Sequence, residues 1–471
     1  MRRILTFMIA AGAIAAGQDA RSVLERAVNK MGNPRSIEYS GSGAAFTLGQ
    51  NVNPNAPWPR VEVKSFTRVI DYDTPASRID AVAAQGPAPA QFFSGGKAWG
   101  QNAAGVVTPA PQFAAERRLQ IWLTPHGFLR GALANNAKAK SRNVSGRKVT
   151  EVSFIDSGRR VTGVISADHL VEKVDTWLDN AVLGDMPVET TYSEYRDFGG
   201  IQFPARIVQK QGGFPVLDQT VTAVRAGVPA NITVPEPVRQ AVAPAVKVAA
   251  EKLAEGVWYL AGGSHHSVAV EFRDHVAVIE APQSEERSIA VIAEVKKLLP
   301  NKPIRYLVNT HHHFDHSGGL RTYVAEGAAI VTHQVNGPFY QRTLSAKRTL
   351  NPDRLSREKK KPKLIATTAT HTLTDGARTV QLHHIQGSPH NDASLMAWLP
   401  KERILIEVDV YSPAAPNAPP PATPPPAAVN LYENVARLKL DVDRIAALHG
   451  RVVPMAEFLR FVGRTSVRAG F

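Results

Sequence analysis

Residues 304–319 read Ile304-Arg305-Tyr306-Leu307-Val308-Asn309-Thr310-His311-His312-His313-Phe314-Asp315-His316-Ser317-Gly318-Gly319. The first five form an apolar, β-prone run, and Gly318-Gly319 opens the next helix. The polar stretch therefore occupies a loop at the C-terminal end of a strand, where chains that alternate strands and helices bind ligands. His311 and His313, two apart in an extended loop, can turn both imidazoles to one side and hold one cation. Asp315 and His316 follow as the chain enters its helix and turn towards a neighbouring cation. Four nitrogen or oxygen ligands within six residues would cost heavily in desolvation unless a metal compensated. His312 points away from its neighbours by alternation and reads as a support to the ligands.

Working outward, thirteen of the fifteen histidines lie at or beyond His265, and only His126 and His169 precede it. Metal chemistry thus belongs to the C-terminal half. The 471 residues contain no cysteine, which excludes disulfides, thiolate ligands, iron–sulfur clusters and a cysteine nucleophile. A formal charge of +14 raises the question of an anionic partner, such as an envelope surface or an acidic substrate. No aromatic-and-basic signature accompanies it, so nucleic acid is not expected. Met1-Arg2-Arg3, the apolar Ile4 to Ala13 and the small residues Ala13-Ile14-Ala15 have the layout of an export signal over residues 1–17. No later stretch has the length of an apolar membrane span, so the mature chain is expected to be periplasmic or secreted, with no transmembrane segment.

Residues 18–228 read as a β-rich accessory domain. Asp19 to Met31 is an amphipathic helix with Val23, Leu24, Ala27, Val28 and Met31 on one side, ended by Gly32. Alternating runs such as Val149 to Ile155 and Glu189 to Tyr195 follow, with a helical interruption near Phe113 to Asn135 and hairpin turns at Gly199-Gly200 and Gly212-Gly213. Residues 229–248, rich in Pro, Ala and Val, read as a linker, so a C-terminal piece is expected to hold metal by itself. From 249 to 471, short apolar strands alternate with helices such as Ser284 to Leu299. Two low-complexity stretches, Lys347 to Lys363 and Ser412 to Ala428, read as surface loops. The second is expected to be extended and non-helical because of its prolines.

His-x-His-x-Asp-His after an apolar strand resembles the signature of the metallo-β-lactamase-fold hydrolases, and further motifs occur in order. Gly256 to Leu260 with Gly262-Gly263 is similar to that family's first hairpin. Gly387-Ser388-Pro389-His390-Asn391-Asp392 resembles its third histidine segment, Ile404 to Asp409 the strand ending in a bridging aspartate, and Leu448-His449-Gly450 the terminal His-Gly. The resemblance implies an α+β fold, an αβ/βα four-layer sandwich, preceded here by the antiparallel β-rich domain. It implies that His311, His313 and His390 hold one metal, that Asp315, His316 and His449 hold the other, and that Asp409 bridges them. Two departures stand out. Glu280 occupies a position where many relatives have Asp as a partner of a ligand histidine, and Asp409 follows Val408 rather than Gly. His265 and His266 lie on a loop expected to face the metals, and Tyr411 is a candidate for orienting a substrate carbonyl.

The expectation is an exported dinuclear zinc hydrolase, with iron or manganese also compatible with an all-N/O ligand set. A metal-bridging hydroxide would attack an ester, thioester, lactone or amide of a small-molecule substrate, and Asp315 would orient it. Three alternatives stand beside it: a class B-like β-lactamase, an iron-dependent dioxygenase on the same fold, and a non-catalytic cell-envelope binding protein. Oxygen-handling diiron relatives carry Glu where this chain has His313.

Overall fold

A computed structural model describes residues 20–466, and the expected export signal lies outside them. The chain forms two compact units. The first comprises residues up to 47, 59–178 and 186–244, and the second comprises 48–58, 179–185 and 245 onward.

The first unit is built on a single antiparallel sheet of 14 strands. Its opening strand, Ser36–Phe46, is central, paired with Arg60–Asp71 on one side and Phe214–Ala226 on the other. The two glycine pairs turn hairpins as expected, joining Gly184–Asp197 to Gln202–Gln211 and the latter to Phe214–Ala226. A helix over 20–31 buries Val23, Leu24, Ala27 and Met31. It stops at Gly32, whose φ of +86° excludes most side chains and whose added Cβ would lie 2.7 Å from Ile201 Cδ1. The expected helical interruption consists of Ala114–Trp122 and Pro125–Ala134, the second capped by Thr124. The Pro/Ala/Val stretch read as a linker is anchored in part. Val238 is buried in a cluster with Phe92 and Trp99, and Ile232 and Val234 pack against it.

The second unit has four layers. One sheet of seven strands, Ala249–Ala254 to Leu364–Thr367, begins antiparallel and becomes parallel from Val276–Ile279 onward. The other, of six strands, runs from Thr370–Thr374 to Val452–Pro454. Alternation along each strand explains the stacking. Val276 and Val278 face helices Glu285–Leu298 and Leu320–Glu326, whereas Ala277 and Ile279 face the opposite sheet. Ile404 and Ile406 fill the space between the sheets, whereas Leu405 packs on helices Pro426–Arg437 and Met455–Phe461. This is the αβ/βα sandwich expected.

Three local outcomes differ from the sequence reading. Residues 48–58 and 179–185, read as parts of the first domain, group with the second unit. The Lys347 to Lys363 stretch is more than a solvated loop. Within the second unit, Asp353 receives Arg321 through a buried bidentate pair and lies 3.1 Å from Arg348. Thr349 and Leu350 donate to Asp185, fastening the 179–185 turn. The Pro/Ala stretch is irregular over most of its length, but its last residues open helix Pro426–Arg437. Proline is compatible with a first helical turn because the N–H that it lacks has no partner there.

Candidate metal centre

Strand Ile304–Val308 ends in the histidine loop, and helix Phe314–Ser317 begins directly after it. The loop is fixed by buried polar contacts. Asn309 Nδ2 donates to His316 O at 3.0 Å, and the Tyr340 hydroxyl donates to Asn309 Oδ1 and lies 3.2 Å from His311 O. Thr310 N donates to Glu280 Oε1 at 2.6 Å, and His316 Nδ1 donates to Glu280 Oε2 at 3.0 Å. Glu280 is wholly buried, and its longer carboxylate reaches His316.

Two groups of four side chains converge, each with ligand atoms within 4.8 Å of one another. One is His311, His313, His390 and Asp409, and the other is His265, Asp315, His316 and His449. Asp409 touches both: Oδ2 lies 3.2 Å from His311 Nε2, 3.1 Å from His390 Nε2 and 3.0 Å from His316 Nε2, while Oδ1 lies 2.9 Å from His449 Nε2. Its φ of +66° falls in the left-handed region, which aspartate tolerates better than most residues. The carboxylate thus reaches its position without the preceding glycine.

The donor chemistry fits a cation in each group. His311 and His390 face one another through Nε2 atoms at 3.3 Å, and His316 and His449 do so at 3.1 Å. His313 donates from Nε2 to Asn51 O at 2.9 Å, which leaves Nδ1 buried with a free lone pair and no hydrogen-bond partner among the described residues. Burial pushes His311, His312 and His313 down to about 3, so all three rings are neutral. Burial opposes ionisation of Asp315 and Asp409, yet the neighbouring histidines hold both well below the usual carboxylate range. His316 is likewise opposed by burial, but Asp409 and Glu280 hold it well above the ordinary imidazole value.

The weaker sequence candidates separate. His265 joins the second group, and its Nε2 lies 3.2 Å from Asp315 Oδ2. His266 accepts from Gly262 N at 3.1 Å and is pushed down to about 4 by burial, with Arg287 adding to it. Tyr411 is buried against Phe458 and Phe461, and its hydroxyl has no hydrogen-bond partner among the described residues. That is a packing position, which a strand-end tyrosine two residues beyond Asp409 could equally have been expected to fill. His312 supports the site, with Nε2 donating to Asn51 Oδ1 at 2.9 Å and Nδ1 accepting from Asn391 Nδ2 at 3.1 Å. Sequence reasoning missed Gln50 and Asn51. The first donates to Asp315 Oδ1 at 2.8 Å, and nothing in its local pattern marks it.

Residues 260–406 match the model of the metallo-beta-lactamase superfamily. No curated protein matches the chain significantly. Among solved structures, a metallo-beta-lactamase from Pontibacter korlensis is 14% identical, with 46% of this chain and 98% of that one covered and a TM-score of 0.37. One from Erythrobacter litoralis is 19% identical over 46% of this chain and 96% of that one, with a TM-score of 0.35. The rubredoxin oxygen:oxidoreductase of Desulfovibrio gigas is 15% identical over 46% of this chain and 61% of its own, with a TM-score of 0.36.

Proposed function

We propose that the metallo-β-lactamase-fold domain in the C-terminal part of this chain is the catalytic part of an exported, dinuclear zinc hydrolase. The observation that carries this reading is Asp409, whose two oxygens lie against histidines of both four-residue groups. His311, His313 and His390 would hold one ion, and Asp315, His316 and His449 the other, with Asp409 shared and His265 beside the second. Two such ions, when bound, would lower the pKa of a nucleophilic water towards neutrality and would act as a Lewis acid for the oxygen that gains charge.

The chain's own residues do the rest. Glu280 accepts from His316 Nδ1 and so turns the Nε2 of that ring towards the centre. Asn51 O does the same for His313 Nδ1 by occupying its other nitrogen. Asp315, ionised across the physiological range, has Oδ1 held by Gln50 and Oδ2 by His265. It can take up a hydrogen bond from a water and fix its lone pair towards an acyl carbon. The substrate class is a small ester, thioester, lactone or amide. The apolar run after Met1-Arg2-Arg3 supports export, and the net charge of +14 supports residence near an anionic envelope surface. No helix among the described residues is long and apolar enough to cross a membrane.

The test is a hydrolysis panel on the purified chain, spanning lactones, thioesters, aryl esters, phosphodiesters and β-lactams, each with and without a chelator. Turnover of an acyl substrate that the chelator abolishes and zinc restores supports the reading. Turnover that survives the chelator, or restoration by iron alone, overturns it.

A further inference from the structure

The segment Leu48-Gly49-Gln50-Asn51-Val52-Asn53-Pro54-Asn55-Ala56-Pro57-Trp58 lies in sequence between the first two strands of the large sheet, some 250 residues before the histidine loop, yet it belongs to the second unit. Its contacts there concentrate on the ligand-bearing loops. Asn51 O accepts from His313 Nε2 at 2.9 Å and from Asn391 Nδ2 at 3.3 Å. Asn51 Oδ1 accepts from His312 Nε2 at 2.9 Å, and Gln50 Nε2 donates to Asp315 Oδ1 at 2.8 Å. Two further bonds fix the loop that carries His390: Asp392 N donates to Val52 O at 2.8 Å, and Asn53 Nδ2 donates to Asp392 Oδ2 at 2.9 Å.

The segment is shaped for this position. Asn51 Nδ2 donates to Asn53 O at 2.7 Å and to Ala56 O at 3.0 Å, which curls the segment around its own side chain. Gly49 lies flat against the Phe314 ring: its φ is +73°, and a Cβ there would be 2.2 Å from Phe314 Cγ. Phe314 N in turn donates to Gly49 O at 3.3 Å.

We propose that residues 48–58 complete the metal centre, with Asn51 and Gln50 acting as positioning residues that hold His313, His312 and Asp315 in ligand geometry. The inference rests on the metal-binding reading above and adds a part to it that the C-terminal sequence cannot supply. A buried imidazole keeps one nitrogen free for a metal only if the other has a fixed partner, and for His313 that partner is a carbonyl from this segment. Residues 245–471 alone therefore lack a component of the site, contrary to the expectation that such a piece holds metal by itself.

The test uses the full chain. Thr47 N donates to Pro59 O at 3.0 Å, so the ends of the segment already stand at hairpin distance. Residues 48–58 can then be replaced by an Asn-Gly turn with the flanking strands kept. Gly49→Ala and Gln50→Ala are the companion variants, which decide the matter if the replacement fails to fold. Three quantities are read: zinc affinity by competition with a chromophoric chelator, the visible spectrum of the cobalt(II)-loaded protein, and far-ultraviolet circular dichroism of the metal-free protein. The expected result is a loss of about 10- to 100-fold in affinity with an altered cobalt spectrum, while the circular dichroism stays that of the parent. Affinity within twofold of the parent and an unchanged cobalt spectrum in all variants would overturn the inference. A parent chain that takes up no metal would instead overturn the reading on which it rests.

Discussion

Replacing Glu280 by Gln keeps the volume and removes the charge at a position with no solvent access. The native carboxylate accepts twice, from Thr310 N at 2.6 Å and from His316 Nδ1 at 3.0 Å. A glutamine has one acceptor oxygen. If that oxygen keeps the Thr310 bond, the amide N–H faces His316 Nδ1, which must then accept. The neutral ring that a metal ion requires would then carry its one proton on Nε2, the nitrogen that points at Asp409 and His449. The ligand lone pair is lost from the centre. If the oxygen turns to His316 instead, a buried backbone N–H is orphaned. Losing a hydrogen bond to a charged acceptor costs about 1.5–3 kcal/mol. Removing the partner of a ligand histidine lowers metal affinity about 10- to 100-fold, or roughly 1.4–2.7 kcal/mol. Competition titration of the metal-free protein with zinc and a chromophoric chelator reads the second figure, and urea denaturation without metal reads the first. The group containing His316 should weaken while the group containing His313 keeps its affinity. Unchanged affinity at both would refute the tautomer argument. Equal weakening at both would refute the assignment of Glu280 to one of them.

Asp353→Asn should destabilise the metal-free second unit by about 3–5 kcal/mol, because Arg321 and Arg348 would keep buried guanidinium groups without their anion. A loss below about 1 kcal/mol in chemical denaturation would contradict that. His126 is buried in the first unit, donates to Met31 O, and is pushed down to about 4 by burial, which that bond offsets only in part. A depressed imidazole stabilises fully above its unfolded value near 6.5 and loses that contribution as pH falls towards 4, a change of roughly 3 kcal/mol. His126→Gln should flatten the denaturation midpoint between pH 7 and pH 4.5, and an unaltered slope would show that another group titrates. The Pro/Ala stretch starts beside the centre: Pro413 packs on Gly450, next to His449, and Arg451 donates to Ala414 O at 3.0 Å. Shortening residues 415–424 to a few Gly and Ser should leave metal content intact and change KM or size preference across substrates. Constant kinetics would make the stretch a spacer.

Much of the candidate centre was legible because side chains able to ligate a metal are chemically conspicuous. His311, His313, Asp315 and His316 stand within six residues, and burying the three histidines of that set together has few other justifications. The layered fold was legible for a related reason, since runs such as Val276 to Ile279 are apolar on both faces and must lie between layers. The parts that escaped depend on distant partners. Gln50 and Asn51 sit in a stretch of Asn, Pro and Gly that reads as an ordinary turn, and its meaning comes only from His313 and Asp315 far along the chain. The sequence places His265 on a loop facing the site without making it a ligand, because a loop histidine becomes a candidate ligand only when Asp315 and His449 come within reach of it. Arg348 and Asp353 were hidden within a basic stretch whose composition suggested solvent, although pairing lets both be buried. Val238 was masked by the prolines around it, which signal a linker whether or not one side chain finds a pocket.

The proposed function stands on the sharing of Asp409 by two ions. Its most direct measurement is the zinc content per chain after equilibrium dialysis of the purified full-length protein, determined by elemental mass spectrometry on the parent and on Asp409→Ala. Two zinc ions per parent chain are expected, with weakened retention of both in the variant. One ion or none in the parent, or two firmly held ions in the absence of the Asp409 carboxylate, would contradict it.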